Sequence, residues 1–313
     1  MTARTSGTGR DNAHWVLPLG SAGGDGWDVA VDATHPGWEH TRLHVATLAG
    51  TDSRTVALGD HEVLVVPLAG AVRVAVVEAD GTRHEVRLAG RDSVFAGATD
   101  VAYAGRGSEV TVTGEADGHA RVALAGSTAR KADEPKPFRH IAAREVPVEL
   151  RGAGTASREV RSFGLPDVLD ADSVLVCEVI TPAGNWSSWP PHKHDEHRDG
   201  AETELEEIYY FEARSIDERG TDPVGYQRVY GSSAERPLDV LAEVRTGDVV
   251  LVPHGWHGPA TAAPDADLYY LNVMAGPGPE RAWRICDDPA HAWVRERWAD
   301  QPVDPRLPVG DAR

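Results

Sequence analysis

Short runs of Val, Leu, Ala and Tyr recur along the chain and are separated by Gly, Pro and polar residues. Runs of this kind, bounded by turn residues, are typical of strands. The run at 71–88 is interrupted by Asp80 and Gly81, a pair that favours a tight hairpin turn. Helical periodicity is scarce and is best in the tail, at residues 291–298. The pattern predicts an all-β protein, with strands at 62–68, 71–88, 174–180, 207–213 and 248–253.

The length of 313 residues is about right for two domains of ordinary size. A polar, proline-containing stretch at 127–142 is typical of a linker. The halves are also similar to each other: GDHEVLVVPLAG around Glu62 is like LEEIYYFEA around Glu207, and GRDSVFAG is like GDVVLVPHG. We therefore predict two β-barrels, one in residues 1–135 and one, followed by a tail, in residues 136–313.

The chain carries 31 Lys and Arg against 49 Asp and Glu, which gives a formal net charge of -18. A surface this acidic repels nucleic-acid phosphates and anionic lipids, so neither is an expected partner. No long apolar run or secretory signal is found, and we expect the protein to stay in the cytoplasm. Because Cys177 and Cys286 stand alone, neither a disulfide framework nor a thiolate metal site is indicated.

The segment GNWSSWPPHKHD places His192 and His194 two residues apart. On a strand, both imidazoles would point to the same face and could bind one ion. The downstream strand EIYYFE begins with Glu207, a carboxylate that is costly to bury unless a positive group compensates for it. A third imidazole, His257, lies in GDVVLVPHGWHGPA. The combination predicts a cupin-type barrel that binds one divalent metal through His192, His194, Glu207 and His257.

Three imidazoles and one carboxylate leave one or two coordination positions of the ion open. We expect Zn first, and Mn, Fe, Co or Ni as alternatives. Open positions suit catalysis better than a closed structural site does. Glu206 is a rival of Glu207, with strand parity as the argument against it, and His197 and His254 are possible substitute ligands. The amino-terminal half has no HxH, so we expect a metal-free barrel that gives structural support and a dimerisation surface; its histidines include His35, His40, His44, His61 and His84.

Longer segments resemble a known family. WSSWPPHKHD, LEEIYYFE, GYQRVY, GDVVLVPHGWHGPATAAPDADLYYLNVMAGP and DDPAHAW are similar to the 5-deoxy-glucuronate isomerases of inositol catabolism, relatives of the 4-deoxy-5-ketouronate isomerases of pectin breakdown. The resemblance is nearly continuous from 172 to 293 and fainter before that. It implies a bicupin that converts 5-deoxy-D-glucuronate to 5-dehydro-2-deoxy-D-gluconate. The family's ligand motif falls on the same four residues, although an acidic insertion, DEHRDGAETELE, departs from the general cupin pattern.

Such an isomerisation moves hydrogen between adjacent carbons, and a divalent cation would polarise the two oxygens as a Lewis acid. Candidates for the catalytic base are Glu206, Lys193 and His254, and a hydride shift without a base is also open. Lys193 alternates with two inward histidines, so an outward, solvated lysine is an alternative interpretation.

The substrate is an anion, so a protein with a net negative charge must bind it at a locally positive site. Its carboxylate could pair with Arg228 or Arg284, and its hydroxyls could meet Gln227, Tyr269 and Asn272.

Two other functions fit the same ligand pattern. A cupin dioxygenase uses three histidines and one glutamate to bind iron, and a bicupin can bind a sugar acid without catalysis. The isomerase is favoured because the resemblance extends into GYQRVY and LYYLNVMAGP, which metal binding does not require. We expect a small sugar acid as the substrate and a homo-oligomer, a dimer, as the assembly.

Overall fold

The computed structural model describes residues 9–116, 118–129, 134–217, 220 and 222–310. The amino-terminal half contains helix α1 (Asn12–Trp15) and the strands β1 (Val16–Leu17), β2 (Val29–Val31), β3 (Thr41–Ala49), β4 (Ser53–Ala57), β5 (His61–Val77), β6 (Arg83–Arg91), β7 (Val101–Ala104), β8 (Glu109–Gly114) and β9 (His119–Thr128).

The carboxy-terminal half contains the strands β10 (Arg139–Ile141), β11 (Val148–Arg151), β12 (Arg158–Gly164), β13 (Leu175–Thr181), β14 (Trp186–Ser187), β15 (His192–Lys193), β16 (Glu206–Ser215), β17 (Gly225–Tyr230), β18 (Asp239–Val244), β19 (Val249–Val252), β20 (Trp256–Ala262), β21 (Ala266–Ala275) and β22 (Cys286–Asp287). Three short 3-10 helices lie at Ala143–Glu145, Gly154–Ala156 and Ala292–Asp300. The prediction of an all-β protein is confirmed.

Strand β5 organises the amino-terminal sheet. It pairs first with β7 and β9 and then, further along its 17 residues, with β6 and β8. The predicted turn joins β5 to β6, and Gly81 at its tip has a φ of 88°, which favours glycine. Towards the end of β5, Val72, Val74 and Val76 are buried while Arg73 and Ala75 are exposed, so the alternation in the sequence defines the inner face of the barrel.

The carboxy-terminal barrel is built from two sheets. One has the strand order β1-β19-β16-β21-β13-β12-β11, and the other has the order β18-β17-β20-β15-β22 with β14 paired to β20. Side chains from both sheets share one hydrophobic core, in which Tyr209 and Tyr270 from the first sheet meet Val229 and Ala260 from the second. The proposed metal ligands lie on β15, β16 and β20 or next to them.

The two halves exchange short strands. Val16 and Leu17 of β1 pair with β19 of the carboxy-terminal barrel, and β10 pairs with β7 of the amino-terminal sheet. The predicted linker at 127–142 is therefore strand at both ends, in β9 and β10, while residues 130–133 lie outside the described residues. The division at residue 135 stays a prediction, and strand pairing crosses it in both directions.

Strand β16 faces both the barrel interior and the other half of the molecule. Tyr209 and Phe211 belong to the core of the carboxy-terminal barrel, whereas Ile208 and Tyr210 belong to a separate core that also contains Leu64 and other residues of the amino-terminal half. Even-numbered residues of β16 thus point to the interface between the halves, and odd-numbered residues point into the barrel. This parity decides the roles of Glu206 and Glu207.

A buried ionic cluster also joins the halves. Both carboxylate oxygens of Glu178 lie 2.6 Å from the guanidinium of Arg91, and Arg161 and the hydroxyl of Tyr269 each lie 3.0 Å from the same carboxylate. Burial alone would raise the pKa of Glu178, but the two arginines lower it below its ordinary value. Tyr269 therefore points to the interface.

The tail differs from its prediction. The segment expected to be a helix at 291–298 forms the 3-10 helix Ala292–Asp300, and none of its residues is buried. Without a buried apolar face, packing gives little reason for an α-helix over the tighter turn. None of the described helices is both long and apolar enough to cross a lipid bilayer.

Candidate metal centre

Three histidines converge inside the carboxy-terminal barrel. His192 on β15 is the strand partner of His257 on β20, and their ring centroids are 4.5 Å apart. His194 follows β15, and its ring lies 4.6 Å from that of His257 and 6.4 Å from that of His192. All three side chains are buried, and their rings lie close together inside the barrel.

Glu207 lies against two of these histidines. Its Oε2 atom is 3.2 Å from Nε2 of His194 and 3.2 Å from Nε2 of His257. The ligand atoms of these three residues all lie within 4.8 Å of one another. His192 stands beside the group, in ring contact with His257.

Backbone carbonyls orient the three imidazoles. Nδ1 of His192 lies 3.3 Å from the carbonyl of Pro190, Nδ1 of His194 lies 3.1 Å from that of Leu205, and Nδ1 of His257 lies 3.2 Å from that of Gly255. A carbonyl only accepts, so each Nδ1 carries the proton and each Nε2 keeps its lone pair. Metal-binding histidines are held in this way.

The residues fit a divalent cation. Among the residues that the structure describes, Nε2 of His257 has no hydrogen-bond partner, although it is buried and close to Glu207. Lone pairs of His194, His257 and Glu207 would face one another, an arrangement that needs a positive charge among them. Nitrogen and oxygen donors of this kind suit Zn and its neighbours in the first transition row.

The charge states of Glu207 and His192 are also those of ligands. Burial would raise the pKa of Glu207, but the adjacent imidazoles of His194 and His257 lower it to about 2. Burial, reinforced by the two other histidines, holds the pKa of His192 well below its ordinary value. Near neutral pH the carboxylate is therefore ionised and His192 is neutral, as metal binding requires.

A cavity of about 240 Å³ opens beside His192. Its walls include Ser188, Tyr209, Tyr270 and Asn272. The Oγ atom of Ser188 lies 3.3 Å from each of the two phenol oxygens. Ser188 has a φ of 47°, a conformation that costs energy for a residue other than glycine. The cavity thus presents hydroxyl groups next to the histidine cluster.

Three arginines form another wall of this cavity: Arg151, Arg158 and Arg295. Sequence reasoning missed all three. Arg158 lies in SREVRSF beside Arg161, and the sequence does not say which arginine of that strand faces the barrel.

None of the three predicted base candidates is among the described residues that line the cavity. The carboxylate of Glu206 accepts hydrogen bonds from the backbone of residues 39–41, on the interface side of β16. Lys193 is only 6% exposed, and its ammonium lies 2.6 Å from Asp195 and 2.8 Å from Glu202. The interpretation of Lys193 as a solvated lysine is therefore wrong, because the acidic insertion folds back over it.

The charge states of these candidates argue further against a base. Burial lowers the pKa of Lys193, but its hydrogen bonds to Asp195 and Glu202 outweigh burial and raise it, so the ammonium keeps its proton. His254 is half-buried near Arg236; burial and that charge lower its pKa. The site roles of these residues stay predictions without support from their positions.

The predicted substrate-binding residues divide into two groups. Asn272 lines the cavity, and Gln227 is fully buried in the barrel with neither of its amide atoms hydrogen-bonded among the described residues. Arg228 is paired with Asp239 at 2.6 Å, and Arg284 is half-exposed and paired with Glu280. The structure therefore brings Asn272 and Gln227 to the barrel interior, but not Arg228, Arg284 or the interface residue Tyr269.

The proposed substitute ligands also lie apart from the cluster. His197 is exposed and lies 3.0 Å from Asp199, and His254 is not part of the metal-binding group found among the described residues. Glu207, and not Glu206, faces the histidines.

Glu206 has a counterpart in the other half. Its Oε1 atom accepts from the amides of His40 and Thr41 at 2.7 and 2.6 Å, across the interface. Glu62, at the start of β5, accepts in the same way from the amides of residues 172–174 at 2.8, 2.5 and 2.7 Å. We call these two sets of contacts the carboxylate clamps. By its contacts Glu62 corresponds to Glu206, so the internal duplication is shifted by one residue from the alignment with Glu207.

Comparison with known proteins places the chain in a family. The model of the KduI/IolB family matches residues 16–294. The 5-deoxy-glucuronate isomerase of Geobacillus kaustophilus is 37% identical over 286 residues, which are 90% of this chain and 95% of that protein. The protein of the same name from Bacillus subtilis strain 168 is 38% identical over 261 residues, 82% of this chain and 89% of that protein.

Solved structures agree with the fold. An IolB-like protein from Salmonella typhimurium LT2 superposes with a TM-score of 0.78 at 34% identity and covers 90% of this chain and 98% of its own. Oxalate decarboxylase from Lactobacillus farciminis gives a TM-score of 0.57 at 12% identity, covering 82% of each chain, which is similarity of fold alone. The predicted bicupin fold is confirmed. Because the family match covers most of the chain and the relatives match along most of their length, the chain belongs to the KduI/IolB family.

Proposed function

We propose that this protein is an aldose–ketose isomerase that converts 5-deoxy-D-glucuronate to 5-dehydro-2-deoxy-D-gluconate in inositol catabolism. One observation carries the proposal: three oriented imidazoles and Glu207 converge beside a small cavity. The chain that holds them is 37% identical, over 90% of its length, to a protein named 5-deoxy-glucuronate isomerase. The sequence and the site thus support the same reaction.

The metal site belongs to the proposal. His192, His194, Glu207 and His257 would hold one divalent cation, with Zn as the first expectation and Mn, Fe, Co or Ni as alternatives. When bound, such a cation supplies Lewis-acid polarisation of the carbonyl and the neighbouring hydroxyl. Glu207 contributes the negative charge, and the backbone carbonyls behind the histidines fix the direction of the lone pairs.

The cavity residues position the sugar. Burial raises the pKa of Tyr270 to about 12, so its phenol stays protonated and can donate to a substrate oxygen. Asn272 Nδ2 is buried without a hydrogen-bond partner among the described residues, and it lies in the cavity wall as a second donor. Tyr209 and Ser188 complete a wall that can hold hydroxyl groups in one orientation.

The cavity wall supports hydrogen transfer without a protein base. Its described residues include no carboxylate, and His192, a proposed ligand, is their one imidazole. Glu206 and Lys193 are engaged in other contacts. We therefore favour direct movement of hydrogen from C2 to C1 of the aldose over removal by Glu206, Lys193 or His254.

Proton NMR in D2O tests the reaction and the route together. We expect 5-deoxy-D-glucuronate to disappear and the ketone product to form without deuterium at the hydroxymethyl carbon, which was C1 of the aldose, because the transferred hydrogen never exchanges with solvent. Deuterium at that carbon would contradict direct transfer but leave the isomerase intact. The absence of product with metal-loaded protein would refute the isomerase and favour the sugar-acid-binding alternative, and consumption of oxygen would favour the dioxygenase.

Metal dependence needs its own experiment. His192→Ala and Glu207→Gln should each lose bound metal, measured by elemental analysis, and lose turnover in parallel. Glu206→Gln is the matched control, because the same change one residue away on the same strand should leave both unchanged. A His192→Ala protein that kept metal and turnover would contradict the ligand assignment.

The cytoplasm as the compartment and a homodimer as the assembly stay predictions. Light scattering during gel filtration measures the assembly, and a mass of about one chain would contradict the dimer.

A further inference from the structure

The cavity beside the metal centre contains a buried cation without a protein counter-charge. Arg158 is 5% exposed, and its one hydrogen bond among the described residues is a 3.1 Å contact from its guanidinium to the carbonyl of Ala156. No carboxylate of the described residues forms an ion pair with it. The ring of Trp298 lies 5.4 Å from the guanidinium but brings no negative charge. A buried charge without a counter-ion is costly, and the carboxylate of a ligand would supply one.

A second buried arginine on the same strand shows the contrast. Arg161 faces the interface, where it lies 2.6 Å from Glu159 and 3.0 Å from Glu178. Arg158, three residues earlier, shares the inward face of β12 with Val160 and lines the cavity. The chain therefore provides carboxylates for one of these arginines and leaves the other open towards the cavity.

The other two cavity arginines are already neutralised. Arg151 lies 2.6 Å from Glu149 and stacks over the ring of Trp283 at 5.5 Å, and Arg295 is paired with Asp287. Their charges are balanced within the protein. Arg158 thus leaves a net single positive charge at this wall, which matches a ligand with one carboxylate.

We infer that Arg158 binds the carboxylate of the substrate, and that this contact makes the enzyme selective for sugar acids over neutral aldoses. The inference rests on the proposed function. In an open-chain 5-deoxy-uronate the carboxylate is C6 and the reacting carbons are C1 and C2, at the other end of the molecule. The wall of the cavity contains both Arg158 and His192, and His192 stands beside the other two histidines.

The guanidinium is suited to this role. Burial, together with the charges of Arg151 and Arg295, lowers its pKa only to about 10, and interaction with Tyr270 opposes this decrease, so it is protonated at neutral pH. A carboxylate could accept two parallel N–H bonds from it, whereas a lysine would offer a single point charge.

Steady-state kinetics with two substrates tests the inference. Arg158→Gln should lower kcat/KM for 5-deoxy-D-glucuronate by about 100-fold and change kcat/KM for neutral 5-deoxy-D-glucose by less than about threefold. Arg158→Lys should restore part of the loss on the uronate. Arg245→Gln is the matched control, because Arg245 is paired with Asp222 and Glu243 away from the cavity and should behave like the wild type. Metal content is measured for every variant.

Each outcome decides the inference. Equal losses on both substrates, or loss of metal, would show a structural role and overturn it, as would unchanged turnover of the uronate. If Arg158→Gln does not fold, the KM values of Arg158→Lys decide instead. An increase in KM for the uronate alone supports the inference, and an unchanged KM contradicts it. If the wild type turns over neither substrate, the proposed function fails. Calorimetry with 5-deoxy-D-glucuronate then tests Arg158 alone: tight binding lost in Arg158→Gln supports the inference, and no binding by the wild type refutes it.

Discussion

Replacing Glu206 with Gln should weaken the interface between the halves and leave the chemistry intact. Oε1 of Glu206 accepts from the amides of His40 and Thr41 and from the Thr41 hydroxyl at 2.7, 2.6 and 2.9 Å, and Oε2 accepts from the amide of Glu39 at 3.1 Å. In the variant the amide oxygen can take the place of Oε1, but the NH2 group must face the N–H of Glu39.

The cost follows from these contacts. One donor loses its acceptor, which costs about 1–3 kcal/mol, and three hydrogen bonds lose the benefit of a charged acceptor. We expect the free energy of unfolding to fall by roughly 2–4 kcal/mol. Urea denaturation followed by tryptophan fluorescence measures this fall as a lower midpoint.

A neighbouring carboxylate gives the control. Glu204 is exposed two residues earlier, and Glu204→Gln should change the stability by less than about 0.5 kcal/mol. Metal content and kcat/KM of Glu206→Gln should stay close to the wild type. Loss of metal or of turnover at unchanged stability would refute this reasoning, and would restore Glu206 as a ligand or as the base.

Three other predictions follow from the contacts and charges described above. A chelator such as EDTA should lower the thermal midpoint of the wild type but not of Glu207→Gln, because a ligand of the folded state adds stability. Glu178→Ala should cost about 3–5 kcal/mol in urea denaturation, since it leaves Arg91 buried without its carboxylate and leaves Arg161 with Glu159 alone. Burial, reinforced by Arg42, lowers the pKa of His44 to about 4. The free energy of unfolding should therefore fall as the pH drops from about 6.5 to 4, and it should level off below pH 4. Urea midpoints measured across that range should depend less on pH in His44→Gln.

Much of the cluster of histidines around Glu207 could be predicted because its signals are local. His192 and His194 are two residues apart, and strand parity alone separates Glu207 from Glu206. The parity argument holds because β16 is buried on both faces, with Tyr209 in the barrel and Ile208 at the interface.

The rest depends on contacts between distant segments. Lys193 is buried because Asp195 and Glu202 fold over it, which a strand pattern does not show. Arg158 and Arg161 look alike in the sequence, and only the position of β12 between β11 and β13 separates the cavity arginine from the interface arginine. The sequence favoured Arg228 and Arg284 for the substrate, but both already have carboxylate partners.

The carboxylate clamp at Glu206 has a consequence for the assembly of β16. Glu206 and Glu207 are chemically identical neighbours, and a slip of β16 by one residue would turn Glu206 inward and Glu207 outward. A slip that moved Glu206 to the place of Glu207 would bring Leu205 to the amides of residues 39–41, which would then lose their carboxylate, so the clamp disfavours that slip. The amino-terminal barrel thereby helps to set the register of β16, and a shortened enzyme without this barrel would lose that contribution.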